Sequence, residues 1–272
     1  MACNIPQQQQ EQEQEIKSVL GHIKHKLIVM SGKGGVGKST VATNLAVYLS
    51  EQGFKVGLMD VDIHGPSVSG LLGLTKMKLV AYEDTKILPI EYNPNLKVVS
   101  VQGLLESPDT PIIWRGAVKM GLINEFLSGV EWGDLDFLII DCPPGTGDEP
   151  LTIVQKIEDC KSVIVTTPQE IALADVRKSI HFCEKANTPI AGLVENMSGF
   201  VCPDCGSVHN IFKSGGGAAT AAQFSIPFLG SLPIDPQVVE SGDEGKPMIT
   251  LSTQTKERMA TIVENLLSQV NQ

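Results

Sequence analysis

A glycine-rich segment near the start of the chain, SGKGGVGKST at residues 31–40, restricts the possible folds more than any other feature. It fits the pattern GxxxxGK[ST] from Gly32 to Ser39, in which glycines without Cβ atoms let successive backbone N–H groups point at one anion. The apolar run at 26–30 predicts a buried parallel strand, and apolar residues at helical spacing after Thr40 predict a helix. A strand, a phosphate-binding loop and a helix in this order predict a nucleotide site.

The residues of this loop have expected partners on a bound nucleotide. The helix that follows directs the positive end of its dipole toward phosphate. Lys38 would reach the β- and γ-phosphates, and the Ser39 hydroxyl would be a ligand of Mg²⁺. An ordinary phosphate loop needs only Lys38, so Lys33 is an additional lysine. We expect the whole loop to contact ATP, which comprises Gly32, Lys33, Gly34, Gly35, Val36, Gly37, Lys38, Ser39 and Thr40.

Polar side chains follow three other strand-like segments. The apolar run FLIID ends in Asp141, the usual form of an element that lies beside the magnesium ion. The run LMDVD places Asp60 and Asp62 on the same side of the pleat. We expect Asp60 in the shell of the metal and Asp62 to orient the attacking water, although both could instead cap the next helix. Asn196 follows a later strand, where its amide could read the nucleotide base.

Strand-like and helical segments alternate along the chain. The further strand-like segments lie at 55–60, 97–101, 137–141, 162–167, 190–195 and 228–232. This alternation predicts an α/β fold with a doubly wound, mostly parallel sheet of the P-loop NTPase type. A chain of 272 residues can form one such domain, which we place at residues 23–272. Residues 1–22 include a polar stretch rich in Gln and Glu, and we expect a disordered tail there.

Charge and composition exclude several classes of partner. The net charge of −10 argues against nucleic acid or an anionic membrane as the main partner. No apolar run approaches the roughly 20 residues that span a bilayer, and the N-terminus lacks the apolar region of a secretory signal. The six cysteines do not show the spacing of a disulfide framework. We therefore expect a cytoplasmic protein that binds neither nucleic acid nor membrane.

The segment CPDC, which contains Cys202 and Cys205, presents two thiols in a tight loop. Two thiolates fill only half of a tetrahedral metal site. A symmetric dimer could supply four of them to one [4Fe–4S] cluster or one Zn²⁺. Alternatively, His209 and one more ligand could complete a zinc site within a single chain. A redox pair is the third possibility, but that motif belongs at the start of a helix early in a βαβ unit.

These motifs together resemble those of one known class of ATPases. The loop at 32–39 is similar to the deviant phosphate loop of nitrogenase iron protein, the arsenite-pump ATPase and the Min and Par positioning ATPases. The similarity extends from about residue 24 to the last strand. Within the class, five further segments resemble the Mrp/ApbC-type iron–sulfur carrier ATPases: DVDIHGPS at 60–67, IWRG at 113–116, DCPPGTGD at 141–148, NMSG at 196–199 and CPDCG at 202–206.

The resemblance implies functions that the motifs alone leave open. It implies that Lys33 reaches across a homodimer to the partner's nucleotide and stabilises charge in the transition state. It also implies that Cys202 and Cys205 hold a labile [4Fe–4S] cluster between two copies, for transfer to apo iron–sulfur proteins. With Lys33, Lys38 and Asp62 as catalytic residues, we expect slow ATP hydrolysis coupled to cluster transfer.

Two other functions are compatible with the same phosphate loop. An ATP-dependent electron-transfer protein, like nitrogenase iron protein, also bridges a cluster between subunits, but its two cysteines lie far apart in sequence. A Min- or Par-like positioning ATPase with a structural zinc knuckle would need a basic surface or a basic amphipathic tail. The C-terminal segment instead has Lys256 and Arg258 beside Glu257 and Glu264.

Overall fold

The fold is built on a central sheet of eight strands with helices on both faces. The computed structural model describes residues 7–82, 86–105, 107, 114, 116–202, 205–251 and 254–271. Five residues of the motifs and cysteines noted in the sequence lie outside the described residues: Cys3, Ile113, Arg115, Pro203 and Asp204.

The strands are β1 (Ile23–Ser31), β2 (Val56–Asp60), β3 (Val80–Tyr82), β4 (Lys86–Leu88), β5 (Ile90–Asn93), β6 (Leu96–Ser100), β7 (Leu135–Asp141), β8 (Cys160–Thr166), β9 (Ile190–Glu195), β10 (Phe200–Val201), β11 (Val208–His209) and β12 (Phe228–Ser231). The helices are α1 (Gln7–Gly21), α2 (Lys38–Glu51), α3 (Val68–Leu71), α4 (Gly116–Ser128), α5 (Asp148–Lys156), α6 (Glu170–Lys185), α7 (Gly216–Gln223), α8 (Pro236–Asp243) and α9 (Gln254–Val270). Short 3₁₀ turns cover Val101–Leu104 and Met248–Thr250.

The order of the strands confirms the predicted doubly wound sheet. It is β12-β9-β8-β1-β7-β2-β6-β5, and every neighbouring pair is parallel except β5 with β6. The strand β1 lies between β7 and β8. The strands β2, β5 and β6 lie on one side of it and β8, β9 and β12 on the other, so the direction in which strands are added to the sheet reverses at β1. In open α/β sheets, ligands bind outside the carboxyl ends of the strands at such a point. The phosphate loop follows β1 and therefore lies at this position.

The central strands are apolar on both faces because helices cover both. In β1, Leu27 and Val29 pack in a cluster with α2 and α9, whereas Ile28 and Met30 pack in one with α4 and α6. Successive side chains of a strand point to opposite faces. An unbroken apolar run such as the one at 26–30 is therefore typical of a strand buried between two helical layers.

The N-terminal segment differs from the disordered tail that we expected for residues 1–22. From Gln7 to Gly21 it forms α1, in which Ile16 and Leu20 are 2% and 5% exposed. These two residues are one turn apart and belong to the same apolar cluster as Phe126 of α4. Gln and Glu are good helix formers, so two apolar anchors are sufficient to dock a segment whose composition is otherwise polar.

Candidate functional site

The phosphate loop is shaped by its glycines. Gly35 and Gly37 have φ angles of +78° and +81°, in the left-handed region that disfavours other residues. At Gly32, a Cβ would lie 2.4 Å from the backbone carbon of Asp175, so α6 packs directly against the start of the loop. The Ser31 hydroxyl donates to the carbonyl of Lys33 at 2.9 Å and holds the first turn.

A cavity of about 240 Å³ opens over this loop. Its floor is the loop itself and the start of α2, and its far side comes from the segments that follow β2 and β7. Backbone N–H groups that converge on a cavity at the start of a helix fit a phosphate chain. The lining residues are Ser31, Gly34, Gly35, Gly37, Lys38, Ser39, Thr40, Asp62, Gly65, Ser67 and Pro144.

Four of the predicted site residues meet at one point of this cavity. The Nζ of Lys38 lies 2.6 Å from Oδ1 of Asp141, and Ser39 donates its hydroxyl to Oδ2 of the same carboxylate at 2.5 Å. Oδ2 of Asp62 is 3.5 Å from the same Nζ. The Lys38 and Asp141 side chains are 6% and 0% exposed. The sequence motifs therefore identified residues that are brought together although 103 positions separate them.

Asp60 is held differently from the other two carboxylates. It pairs directly with Asp141 across β2 and β7. However, its oxygens accept hydrogen bonds from the backbone N–H groups of Asp62 at 3.1 Å and Val68 at 3.3 Å, and from the Ser100 hydroxyl at 3.0 Å. Since Val68 is the first residue of α3, the observed geometry matches the helix-capping alternative. Asp60 fixes the segment that presents Asp62 to the cavity.

Burial dominates the electrostatics of this cluster. It raises the pKa of Asp60, and repulsion by Asp141 raises it further. Burial also raises the pKa of Asp141, although the charge of Lys38 opposes this. For Lys38, burial acts to lower the pKa, but attraction to Asp141 and Asp62 outweighs it and the pKa is raised. Asp62 and Asp141 are the two carboxylates that contact Lys38, and oxygen donors of this kind fit a divalent cation such as Mg²⁺.

Asn196 lies beneath the phosphate loop. Its Nδ2 donates to the carbonyl of Val36 at 2.9 Å, and a Cβ at Gly37 would lie only 2.1 Å from that nitrogen. The observed partner of this amide is the loop backbone, whereas we expected the nucleotide base. Gly37 is therefore required both by its φ angle and by the close approach of Asn196.

Lys33 is partly buried at the side of the loop. Within the part of the chain that the structure describes, its Nζ forms neither a hydrogen bond nor an ion pair, in contrast to that of Lys38. A role across a dimer interface stays a prediction.

The two cysteines of the CPDC motif lie in a hairpin that β10 and β11 form, which we call the cysteine hairpin (residues 200–209). The N–H of Cys202 donates to the carbonyl of Ser207, and that of Gly206 donates back to the carbonyl of Cys202, both at 2.9 Å. Cys205 is exposed and Cys202 is partly exposed, whereas the described cysteines elsewhere are buried. Hydrogen bonds with the side chain and N–H of Ser207, and then with Cys202, lower the pKa of Cys205.

The surroundings of the hairpin bear on two of the three interpretations of the motif. Among the described residues, no group of three or more His, Cys, Asp and Glu side chains is placed to hold a metal ion. His209 therefore does not complete a zinc site with described residues of its own chain. The motif also lies in a hairpin rather than at the start of a helix, unlike the redox pair that we considered.

One residue near the cavity was missed by the sequence analysis. The Nζ of Lys119 in α4 lies 2.6 Å from Nε2 of His64 and 3.0 Å from Oε1 of Glu149. His64 follows β2 and Glu149 is in the first turn of α5, so Lys119 joins the two segments that form the far side of the cavity. An unremarkable helical lysine gives no signal of such a role. Trp114, in the IWRG motif, is partly buried against the apolar cluster that contains Phe126 of α4.

Known proteins place this arrangement in a family. A family model described as ParA, NUBPL iron-transfer P-loop NTPase, matches residues 22–271. The chain belongs to this family. As P-loop NTPases, the members of this family bind a nucleoside triphosphate at the phosphate loop and hydrolyse it. Membership confirms the resemblance that the sequence motifs indicated.

Two curated relatives in the iron-transfer P-loop NTPase family cover most of the chain. An iron–sulfur cluster carrier protein from Methanocaldococcus jannaschii is 46% identical over 261 residues, which cover 96% of this chain and 90% of the relative. A protein from Aedes aegypti, called a cytosolic Fe-S cluster assembly factor and Nubp2 homolog, is 50% identical over 236 residues, or 85% of this chain and 91% of the relative.

A solved structure shares the fold of this family member. It is a nucleotide-binding protein from Archaeoglobus fulgidus, described in complex with ADP and with cobalt. The TM-score is 0.76 at 42% identity, and the match covers 86% of this chain and 91% of the other. Within the described residues, no helix has both the length and the apolar character needed to cross a bilayer.

Proposed function

We propose that this chain is an ATP-hydrolysing carrier of iron–sulfur clusters, in which two copies hold one [4Fe–4S] cluster and transfer it to apo-proteins. The observation that carries the proposal is the presence, in one domain, of a complete phosphate-loop site and a pair of thiols, of which Cys205 is exposed and Cys202 partly exposed. The names of the two relatives, a cluster carrier and a cluster assembly factor, support it.

In the nucleotide half of the function, the buried ion pair exchanges partners. Lys38 would leave Asp141 for the β- and γ-phosphates, and Ser39 and Asp141 would then be available to hold the magnesium ion or a water bound to it. Mg²⁺ supplies neutralisation of the phosphate charge. The carboxylate of Asp62 lies 3.5 Å from Nζ of Lys38. It would therefore lie beside the phosphates that this lysine binds and would orient the attacking water.

Lys33 supplies the remaining positive charge from a second copy of the chain. Its Nζ forms no hydrogen bond or ion pair with described residues of its own chain, so it is available to a partner's nucleotide. A cation directed at the transferred phosphoryl group stabilises charge that develops only in the transition state. Hydrolysis then depends on how two copies face each other.

In the cargo half, each copy contributes the two thiolates of the cysteine hairpin. The hydrogen bonds that lower the pKa of Cys205 favour the thiolate, which is the form that binds iron. Three apolar side chains close to the thiols in sequence are exposed: Val208 by 66%, Ile211 by 58% and Phe212 by 37%. Exposed apolar residues clustered along a segment are typical of an interface, and a second copy of the hairpin would cover them.

The test is an anaerobic reconstitution with iron and sulfide. We expect about two iron and two sulfide ions per chain, as a cluster shared by two copies requires, and a dimer by light scattering. The variant Cys202→Ala/Cys205→Ala should retain neither ion, whereas the control Cys160→Ala/Cys183→Ala, which changes two buried thiols, should retain both. Zinc in place of iron, or iron that is unaffected by the first variant, would overturn the proposal.

A further inference from the structure

Glu195 is a buried carboxylate at the end of β9, with an exposure of 1%. It accepts hydrogen bonds from the Ser198 hydroxyl at 2.5 Å and from the backbone N–H groups of Gly215, at 2.8 Å, and Gly217. Ser198 lies two residues before the cysteine hairpin, and Gly215 and Gly217 lie after it, at the N-cap and in the first turn of α7. One carboxylate therefore holds both ends of the segment that carries Cys202 and Cys205, which we call the cysteine excursion (residues 198–215).

The next residue in the chain faces the other functional region. Asn196 donates its side-chain amide to the carbonyl of Val36 in the phosphate loop, and its backbone N–H donates to the carbonyl of Thr166 at the end of β8. Because Asn196 is 8% exposed and fills the space beside Gly37, a change in the loop backbone at residues 36–37 must displace it or break its hydrogen bond. Of these two consecutive residues, Asn196 thus contacts the phosphate loop and Glu195 contacts the two ends of the cysteine excursion.

Further hydrogen bonds connect the start of the cysteine excursion to the end of β9. The N–H of Ser198 donates to the carbonyl of Leu232 at 2.8 Å, and the N–H of Leu232 donates to the carbonyl of Glu195 at 2.9 Å. At Gly217, a Cβ would lie 3.0 Å from Cβ and Oε2 of Glu195, so the start of α7 rests against the carboxylate. The two ends of the excursion are therefore constrained to move together with Glu195.

We infer that Glu195 and Asn196 connect the phosphate loop to the cysteine excursion, so that Glu195 is a positioning residue for Cys202 and Cys205. The inference rests on the proposed function, because it specifies how nucleotide binding would act on the cargo thiols. Nucleotide at the phosphate loop shifts Val36, Asn196 follows, and Glu195 carries the shift to both ends of the excursion. A link of this kind is a coupling free energy, and it must act equally in both directions.

The experiment measures this coupling on the full chain without any cluster. The alkylation rate of Cys202 and Cys205 by iodoacetamide is followed by mass spectrometry, with and without Mg²⁺ and a non-hydrolysable ATP analogue. In the wild type we expect the analogue to change the rate by about fivefold or more. Conversely, alkylation should change the affinity for the analogue, because the coupling free energy acts in both directions. In Glu195→Gln, whose amide cannot accept all three hydrogen bonds, both factors should fall to about one.

Two further variants separate positioning from a loss of fold. Ser198→Ala removes only one of the three donors and should give an intermediate factor, which decides the question if Glu195→Gln does not fold. Glu244→Gln, a change to an exposed carboxylate that pairs with Lys246, should keep the wild-type factor. A purely structural role for Glu195 would alter the alkylation rates with and without the analogue equally and leave their ratio unchanged.

The outcomes are distinct from those of the reconstitution. A ratio of about one in the wild type, or a ratio unchanged in Glu195→Gln and Ser198→Ala, would overturn the link even if the protein retains iron and sulfide. A wild type that shows the coupling but retains no iron would overturn the carrier function and leave the link intact.

Discussion

The Nζ of Lys38 lies 2.6 Å from the carboxylate of Asp141, so the lysine that follows β1 and the carboxylate that ends β7 neutralise each other inside the protein. Neither side chain is more than 6% exposed. Removal of one partner from an ion pair buried to this degree destabilises the folded protein, because the other partner is left as an uncompensated charge. The same two residues are the ones that a magnesium nucleotide would separate.

Replacement of Asp141 should therefore destabilise the protein. We expect Asp141→Asn to lower the free energy of unfolding by about 3 kcal/mol, because Lys38 keeps its charge and loses its closest partner. Urea unfolding measures this. Asp134→Asn, at an exposed carboxylate 3.0 Å from His22, is the control and should cost under about 0.5 kcal/mol. The double variant Lys38→Met/Asp141→Asn should recover part of the loss, and a single variant as stable as the wild type would contradict the argument.

Two glycines of the phosphate loop form a matched pair. Gly35 and Gly37 have nearly the same positive φ, but a Cβ has open space at Gly35 and would clash with Asn196 at Gly37. Gly35→Ala should cost only the backbone strain of about 1–2 kcal/mol, and Gly37→Ala should cost clearly more. Denaturant unfolding of both variants tests this. Asn196→Ala should relieve part of the cost of Gly37→Ala, and equal losses in the two glycine variants would exclude the clash.

Lys119 should stabilise the protein in a way that depends on pH. Burial acts to raise the pKa of Glu149, but its own backbone N–H and the ion pair with Lys119 outweigh burial, so the pKa is lowered. A lowered pKa contributes stability above the ordinary pKa of glutamate, about 4.3, and the contribution is lost as pH falls through the folded-state pKa. Lys119→Met should be less stable than the wild type by about 1 kcal/mol near pH 7.

This difference should shrink as the pH falls below the ordinary pKa of glutamate and through the lowered pKa of Glu149. Since Nζ of Lys119 also contacts His64, Glu149→Gln is needed to isolate the carboxylate. Unfolding curves recorded between pH 3 and 8 provide the comparison, and a difference that grows as the pH falls would contradict the assignment to Glu149.

Cys205 should react as an acidic thiol because of its contact with Ser207, at 3.2 Å. Ser207→Ala should raise the pKa of Cys205 and slow its alkylation at pH 7 by a few-fold, on the order expected from thiolate control of the rate. The pH dependence of the iodoacetamide reaction measures both effects. Cys142 is the internal reference, because burial raises its pKa and it should react only in denaturant.

Lys33 can be tested by mixing two inactive proteins. Lys33→Ala should lower the rate of ATP hydrolysis by about 10³-fold, as the loss of a charge that acts on the transition state predicts, with unchanged urea unfolding. Mixed dimers of Lys33→Ala and Lys38→Ala should regain activity, because one site then has its own Lys38 and receives Lys33 from the other copy. If Lys33 acted on the nucleotide of its own chain, the mixture would stay inactive.

The nucleotide site could be predicted from sequence because its chemistry is tied to strand ends. The pattern around Gly32 and Lys38 fixes a strand, a loop and a helix, and an apolar run that ends in Asp141 must finish at the same edge of a parallel sheet. Periodicity also sufficed for the order of the main elements. The helix α1 was missed because, among its described side chains, Ile16 and Leu20 are buried and Val19 is partly buried, which is too few for a visible period.

Contacts within the site were harder to predict, because they depend on which atoms the backbone turns toward each other. Nothing in the motif distinguishes an Asp60 that holds backbone N–H groups from one that binds a metal. The partner of Asn196 is the carbonyl of a residue 160 positions away, and no sequence pattern indicates that these two residues are in contact. Glu195 could have been noticed, since a carboxylate that ends an apolar strand is the same signal that marked Asp141.

The exposure of Cys205 has a consequence for how the protein must be handled. A thiol that an incoming protein can reach is also open to dioxygen and peroxide, and its lowered pKa favours the form that they oxidise. Oxidation of the pair would remove the thiolates that we propose as iron ligands, without disturbing the buried cysteines or the fold. Protein isolated in air would then keep its nucleotide chemistry and lose the proposed capacity to bind a cluster. The exposure of each preparation to oxygen is therefore a variable of every experiment on this molecule.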